Sequence, residues 1–91
     1  MAKRPVGGKE VSVAANTELI TNESCGTKNL NFISLGGFYI RNEDTKDIFV
    51  KINGSADQLL KPGEMFNLSG LTEVESCIVV TESKIRWGGL I

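Results

Sequence analysis

Short runs in which apolar and polar residues alternate, separated by turn-forming residues, make up most of the chain. In the clearest run, residues 48–53, every second residue is isoleucine or valine, and the turn dipeptide Asn53-Gly54 closes it. Turn signals recur roughly every eight to twelve residues, and no apolar stripe with helical spacing is longer than about two turns. The pattern therefore predicts an all-β fold: a small antiparallel β-sandwich of about seven or eight short strands, jelly-roll-like in arrangement.

Two glycine-containing segments refine this prediction. Gly36-Gly37 interrupts a run rich in β-branched and aromatic residues, which indicates either two strands joined by a tight turn or one strongly bent strand. Pro62-Gly63 predicts a type II turn, because proline presets the first central position and glycine accepts a positive φ at the second. The predicted strands lie within residues 9–16, 17–21, 30–41, 48–53, 58–60, 65–68, 74–81 and 84–87.

The first eight residues differ from the rest. They contain one proline and two glycines, with Val6 as the one large apolar residue after Met1, so they favour neither a helix nor a buried strand. Lys3 and Arg4 give this segment a positive charge. We therefore predict a flexible N-terminal arm over residues 1–8 and a single β-sandwich domain over residues 9–91.

Length and charge limit the partners. A compact chain of 91 residues hides only about two-thirds of its surface on folding, which supports one modest core and leaves little room for an enclosed active site. A formal net charge of −1 argues against nucleic acid and against anionic membranes as partners, since both attract a surplus of Lys and Arg. No apolar run approaches the roughly 20 residues that cross a bilayer.

The residue types present restrict the chemistry. The chain has no histidine, which excludes a histidine-dependent catalytic triad or a His-ligated zinc site within one chain. Cys25 and Cys77 are too few for a structural zinc site, and they either pair as one disulfide or stay free. Free thiols are favoured because no signal peptide precedes the domain. We expect no enzyme, no metal and no cofactor.

Three features of the sequence are candidates for a functional site. The Pro62-Gly63 turn is similar to turns near cupin metal sites, but without an imidazole it is interpreted as a plain hairpin turn. The acidic residues around Asp44 and Asp47 are interpreted as a solvated turn. Among the aromatic residues, most are expected to build the core, whereas Tyr39 is the candidate for an exposed ligand or interface position, because Phe38 and Ile40 on either side of it would face inward.

The later strands and turns resemble small β-sandwich structural proteins of tailed bacteriophages and prophages. The segments that carry the resemblance are Phe38–Asn42, Ile48–Gly54, Leu59–Phe66 and Ile78–Leu90. The resemblance implies a non-enzymatic virion protein, made in the bacterial host cytoplasm, with capsid decoration (cement) as the first position and tail, baseplate or fibre as the alternative. Decoration proteins of this kind are often trimers that use a terminal arm to contact the shell.

Carried over to this chain, the resemblance implies a homo-oligomer, with a trimer favoured, and the major capsid protein or another virion protein as partner. Lys3, Arg4 and Val6 are then the candidate capsid contacts of the arm. The competing hypothesis is a small glycan-binding module on a fibre or tail tip, in which Tyr39 would stack on a sugar. A host-encoded interaction domain is the third.

Overall fold

The computed structural model describes residues 5–21, 36–68 and 74–90, and within these ranges the protein is all-β, with eight strands and no helix. The fold class predicted from the alternating pattern is therefore confirmed. The strands are β1 (Pro5–Val13), β2 (Thr17–Glu18), β3 (Gly36–Asn42), β4 (Ile48–Ile52), β5 (Gln58–Leu60), β6 (Met65–Asn67), β7 (Cys77–Val79) and β8 (Ser83–Leu90).

The strands form two antiparallel sheets of four strands each. Sheet A has the order β1-β8-β3-β6, and sheet B has the order β2-β7-β4-β5. In sheet A the first and the last strand of the chain are neighbours, since β1 pairs with β8. On its other side β8 pairs with β3. Closing the fold therefore depends on contacts between residues far apart in sequence, and β8 is the strand that joins the N-terminal strand to the rest of sheet A.

One hydrophobic core draws on both sheets. Alternation along β4 turns Ile48 and Val50 inward, as predicted, and both are fully buried. Phe38 on β3 and Trp87 on β8 meet within this core with ring centroids 6.1 Å apart. The buried apolar residues are Leu19, Ile20, Phe38, Ile40, Ile48, Val50, Leu60, Leu68, Val74, Cys77, Val79, Ile85 and Trp87.

Strand β1 begins at Pro5, four residues before the predicted boundary between arm and domain. Residues 5–7 pair with residues 88–90 of β8, so the second half of the predicted arm belongs to sheet A. Two features allow this pairing: Gly7 and Gly8 take positive φ values of 77° and 92°, and the register shifts between Gly7 and Glu10. The local composition of residues 1–8 gave no sign of a partner strand. Residues 1–4 lie outside the described ranges.

The glycine pair at residues 36–37 lies at a second irregularity of sheet A. The pairing of β3 with β8 shifts register between Gly36 and Tyr39, and Gly37 has a φ of 59°. Both neighbours of β8 therefore carry a bulge, that of β1 opposite Trp87 and that of β3 opposite Gly89, a geometry that increases the local twist of a sheet. The choice between a tight turn and one bent strand depends on residues 30–35 of the same run, which lie outside the described ranges.

The predicted turn at Pro62-Gly63 is confirmed. Gly63 has a φ of 78°, and the Glu64 amide donates to the Lys61 carbonyl at 2.9 Å, which closes a type II turn. The turn is tied to sheet A, because the Gly63 amide donates to the Asn42 carbonyl at 2.8 Å. The end of β3 therefore fixes the connection between β5 and β6.

Cys77 is a free thiol, fully buried in the core at the start of β7. Burial removes solvent from the thiolate and, with the Glu18 carboxylate nearby, raises the pKa of Cys77 to about 12. The side chain accordingly acts as a small apolar residue, as predicted. Cys25, its partner in the disulfide alternative, lies outside the described ranges.

Candidate functional site

The residues predicted for the arm are divided by the structure. Lys3 and Arg4 lie outside the described ranges. Val6 lies on β1 opposite Gly89, where it is half-buried and packs against the core. Its side chain is therefore part of sheet A, and it is not displayed on a separate arm.

Tyr39 lies on the outer face of sheet A. The neighbours Phe38 and Ile40 are fully buried, so alternation turns Tyr39 away from the core. Tyr39 pairs with Gly88 of β8, and its ring covers that glycine: a Cβ added to Gly88 would lie 2.8 Å from the phenol. Tyr39 is half-buried for this reason, and it shields a backbone stretch that has no side chain of its own.

Next to Tyr39, two arginines face each other across the strands of sheet A. Arg41 of β3 is paired with Arg86 of β8, and like charges in that position repel. The Glu43 carboxylate lies between them, with its Oε1 at 3.4 Å from Arg41 Nε and 3.8 Å from Arg86 Nε. This oxygen is buried and makes no hydrogen bond, so the two ion pairs are its polar partners. The three side chains form a charged cluster on this face.

Backbone carbonyls hold the two guanidinium groups in place. Arg41 Nε donates to the Gly63 carbonyl at 3.2 Å, and Arg86 Nη1 donates to the Gly8 carbonyl at 3.1 Å. The arginines thus tie the type II turn and the bulge of β1 to the outer face of sheet A. The face presents one aromatic ring and two ordered cations side by side.

The outer face of sheet B is apolar where β4 and β5 meet. Phe49 and Leu59 are directly paired across these strands, and they are 40% and 43% exposed. The Val80 amide donates to the Phe49 carbonyl at 2.8 Å, so half-buried Val80 lies on the other side of Phe49. We name Phe49, Leu59 and Val80 the apolar patch. Single exposed apolar residues are ordinary, whereas a contiguous group on one face indicates a contact surface.

An ion pair borders the apolar patch. Lys51 Nζ lies 3.7 Å from Asp57 Oδ1, and both side chains are nearly half exposed. A polar rim beside an apolar centre is the usual composition of a protein–protein contact. Most of the aromatic residues were expected to build the core, and Phe49 is one that does not. The signal was present in the sequence: Phe49 is out of phase with Ile48 and Val50, which face inward.

A shallow cavity of about 440 Å³ lies at the opposite end of sheet A from the glycine bulges, between the end of β1, the β3–β4 loop and the start of β8. Its charges balance, since Asp44 and Glu82 face Lys46 and Lys84. The Asp44 carboxylate accepts hydrogen bonds from two backbone amides, that of Thr45 at 2.7 Å and that of Lys84 at 3.0 Å. These hydrogen bonds lower the pKa of Asp44, and they fix its role as a loop anchor.

No group of three or more acidic or cysteine side chains in residues 5–21, 36–68 and 74–90 is placed to hold a metal ion. No helix there is long and apolar enough to cross a membrane.

Comparison of the chain with models of protein families, with curated proteins and with solved structures gave no match.

Proposed function

We propose that this chain is a non-enzymatic structural protein of a bacteriophage virion, a capsid decoration protein that binds the outside of the shell and stabilises it through contacts that bridge subunits. In this proposal the two sheets form a jelly-roll-like sandwich. The observation that carries the proposal is the apolar patch, which gives a small two-sheet domain one face suited to contact with another protein. The sequence resemblance supplies the particular partner, the major capsid protein or another virion protein.

The energy available from the apolar patch fits such a role. Covering the exposed parts of Phe49 and Leu59 would gain on the order of 2–4 kcal/mol per copy, at about 25 cal/mol per Å² of apolar surface. That is modest for a single contact, since association itself costs several kcal/mol. Copies joined in one oligomer bind several shell subunits at once, so their contributions combine. Several copies acting together are therefore part of the proposal, and three is the number that the resemblance implies.

Binding to purified particles tests the proposal. Empty shells of the phage that encodes the chain, stripped of this protein, are incubated with the full chain and sedimented. We expect Phe49→Ser with Leu59→Ser to weaken shell binding at least tenfold. Because both residues are more than half covered in the single chain, the variant also loses some stability, and binding is compared below its unfolding midpoint. The matched control is Met65→Ser, a 52% exposed apolar residue on sheet A, which should bind like the unmodified chain. Recovery of the protein from tails and not from shells would overturn the decoration role.

The arm is tested separately. Because residues 5–8 belong to β1, a deletion of residues 1–8 would damage sheet A and confuse folding with binding. Lys3→Ala with Arg4→Ala changes no residue of β1. We expect this double variant to lose affinity for the shell, increasingly so at low salt, where charge contacts contribute most. Unchanged binding at low salt would remove the arm from the proposal.

A glycan-binding module of a tail or fibre is the second candidate, and the outer face of sheet A favours it. The half-exposed ring of Tyr39 beside Arg41 and Arg86 could stack on a sugar and hydrogen-bond its hydroxyl or acidic groups. This candidate predicts binding to a host surface polysaccharide that is lost in Tyr39→Ala and kept in Tyr39→Phe, because the phenylalanine ring still covers Gly88. A glycan array without signal would exclude it.

A further inference from the structure

The four outermost strands of the two sheets differ greatly in length. Strands β2, β5 and β6 have two or three residues each, whereas β1 has nine. Within the described residues, β8 is the one strand paired with β1, so the other edge of β1 presents backbone donors and acceptors. A long open edge is a template for another strand, and short outer strands are a common protection against such pairing.

We infer that the edge of β1 pairs with β1 of a second copy of this chain, antiparallel about a two-fold axis, so that sheet A continues across a dimer. The pairing uses the regular part of β1, from Glu10 to Val13, with Ala14 after it. The bulge at Gly7 and Gly8 twists the earlier part of the strand and ends the contact there.

The side chains of β1 favour one register. With Ser12 opposite Ser12 of the second copy, Val11 meets Val13 of that copy on the core side of the sheet, twice by symmetry. Val11 is 36% exposed and Val13 is half-buried in the single chain, and among residues 5–21, 36–68 and 74–90 no strand pairs with the outer edge of β1. The second copy would cover both valines and extend the core across the axis.

Other registers fit less well. An axis at Val11 places Lys9 opposite Val13, so a charge faces an apolar side chain. An axis at Glu10 places two carboxylates directly opposite each other, which repel. In the register centred on Ser12, Glu10 faces Ala14, and no like charges meet. The sequence of β1 is thus self-complementary in one alignment.

Cross-linking through introduced cysteines tests the register directly. Residues directly opposite in an antiparallel pair have Cα atoms about 4.5–5.5 Å apart, within the span of a disulfide. The parent is the full chain with Cys25→Ser, in which Cys77 is buried. We expect Ser12→Cys to form a covalent dimer under mild oxidation. The matched control is Ala14→Cys, two residues further along, which leaves every charge of β1 in place and whose two copies would be about 13 Å apart and should not cross-link.

The mass of the unmodified chain in solution is the second measurement. Native mass spectrometry should give twice the 9.9 kDa of one chain. Val11→Lys should give the mass of one chain, because it places a charge on the paired edge, while Val11→Thr should remain dimeric. A wild-type mass of one chain, or of the three chains that the resemblance implies, would overturn the inference. So would equal cross-linking of the two cysteine variants.

This inference concerns how copies meet: it replaces the three copies that the resemblance implies with two, and it does not depend on shell binding. Pairing is measured on the purified chain and shell binding on particles. A dimer that fails to bind shells leaves the edge contact standing and removes the decoration role. A monomer that binds shells overturns the edge contact and leaves the decoration role standing.

Discussion

At the scale of single residues, Asn42 connects a loop to a strand through buried hydrogen bonds, a role that no pattern in the sequence predicted. It is fully buried at the end of β3, and its side-chain amide donates to the Lys46 carbonyl at 2.7 Å and the Leu60 carbonyl at 2.9 Å. Its Oδ1 accepts from the Asp44 amide at 2.8 Å. One side chain therefore joins the β3–β4 loop to the end of β5, and its polar atoms find protein partners in place of water.

Asn42→Ala should lower the free energy of unfolding by about 3 kcal/mol, because two carbonyls and one amide lose their partner at a buried site. Urea denaturation followed by circular dichroism measures this. Lys61→Ala, at an exposed position between β5 and β6, should change the free energy by less than about 0.5 kcal/mol. An Asn42→Ala variant as stable as the unmodified chain would mean that these hydrogen bonds contribute nothing net.

The buried Cys77 thiol makes the free energy of unfolding depend on pH at alkaline pH. Its pKa is raised from the ordinary 9.0 to about 12 in the folded chain, so above pH 9 the unfolded chain loses the thiol proton while the folded chain keeps it. The contribution is fully present below pH 9 and is lost as the pH rises toward 12, with a slope of up to about 1.4 kcal/mol per pH unit. Cys77→Ala should be less stable at pH 7 and should lack this part of the alkaline decline. Parallel unfolding curves of both proteins from pH 8 to 11 measure it, and identical slopes would contradict it.

At the scale of elements, β1 and β8 depend on glycines where they meet. A Cβ added to Gly7 would lie 2.3 Å from the Trp87 carbonyl oxygen, whereas one added to Gly8 would meet nothing within 4 Å. Both residues have positive φ, so both substitutions strain the backbone, but one of them also forces β1 away from β8. Comparing alanine substitutions at Gly7 and Gly8 therefore tests whether residues 5–7 pair with β8.

Gly8→Ala should cost about 1 kcal/mol of unfolding free energy, and Gly7→Ala about 3 kcal/mol or more. Hydrogen exchange gives a second readout, because Gly7→Ala should reduce amide protection in residues 5–7 and in β8 near Gly88. Equal, small effects of the two substitutions would favour the original prediction of a flexible arm extending to Gly8.

At the scale of the whole molecule, both sheets contribute to one core, which predicts a single cooperative unfolding transition. The only tryptophan, Trp87, lies in sheet A, while Val50 lies in sheet B. Val50→Ala removes buried methyl groups and should lower the midpoint seen by Trp87 fluorescence and by circular dichroism equally, with a loss of about 2 kcal/mol. A shift seen by circular dichroism while the fluorescence midpoint stays in place would show that the sheets unfold separately.

Much of the fold could be predicted because it rests on local rules. Alternation identified the inward-facing side chains of β3, β4 and β8, and turn chemistry identified the type II turn at Pro62-Gly63. The candidate surfaces were harder to predict from the sequence. Tyr39 was placed outward by its neighbours, but the opposed arginines and the Phe49–Leu59 pair depend on which strands are adjacent and in what register. A single sequence does not contain that pairing in any local pattern.

The sequence by itself determined the all-β class, the facing of most core residues and the positions of the main turns, because a period of two and the φ preferences of proline and glycine act within a few residues. The tertiary structure alone decided that residues 5–8 belong to a sheet, that β1 is a nine-residue outer strand among the residues that the structure describes, and that apolar residues of β4 and β5 meet on an outer face. These features arise from strand pairing between distant segments. Their energies depend on register, close approach of backbones and missing neighbours, which are properties of the assembled fold.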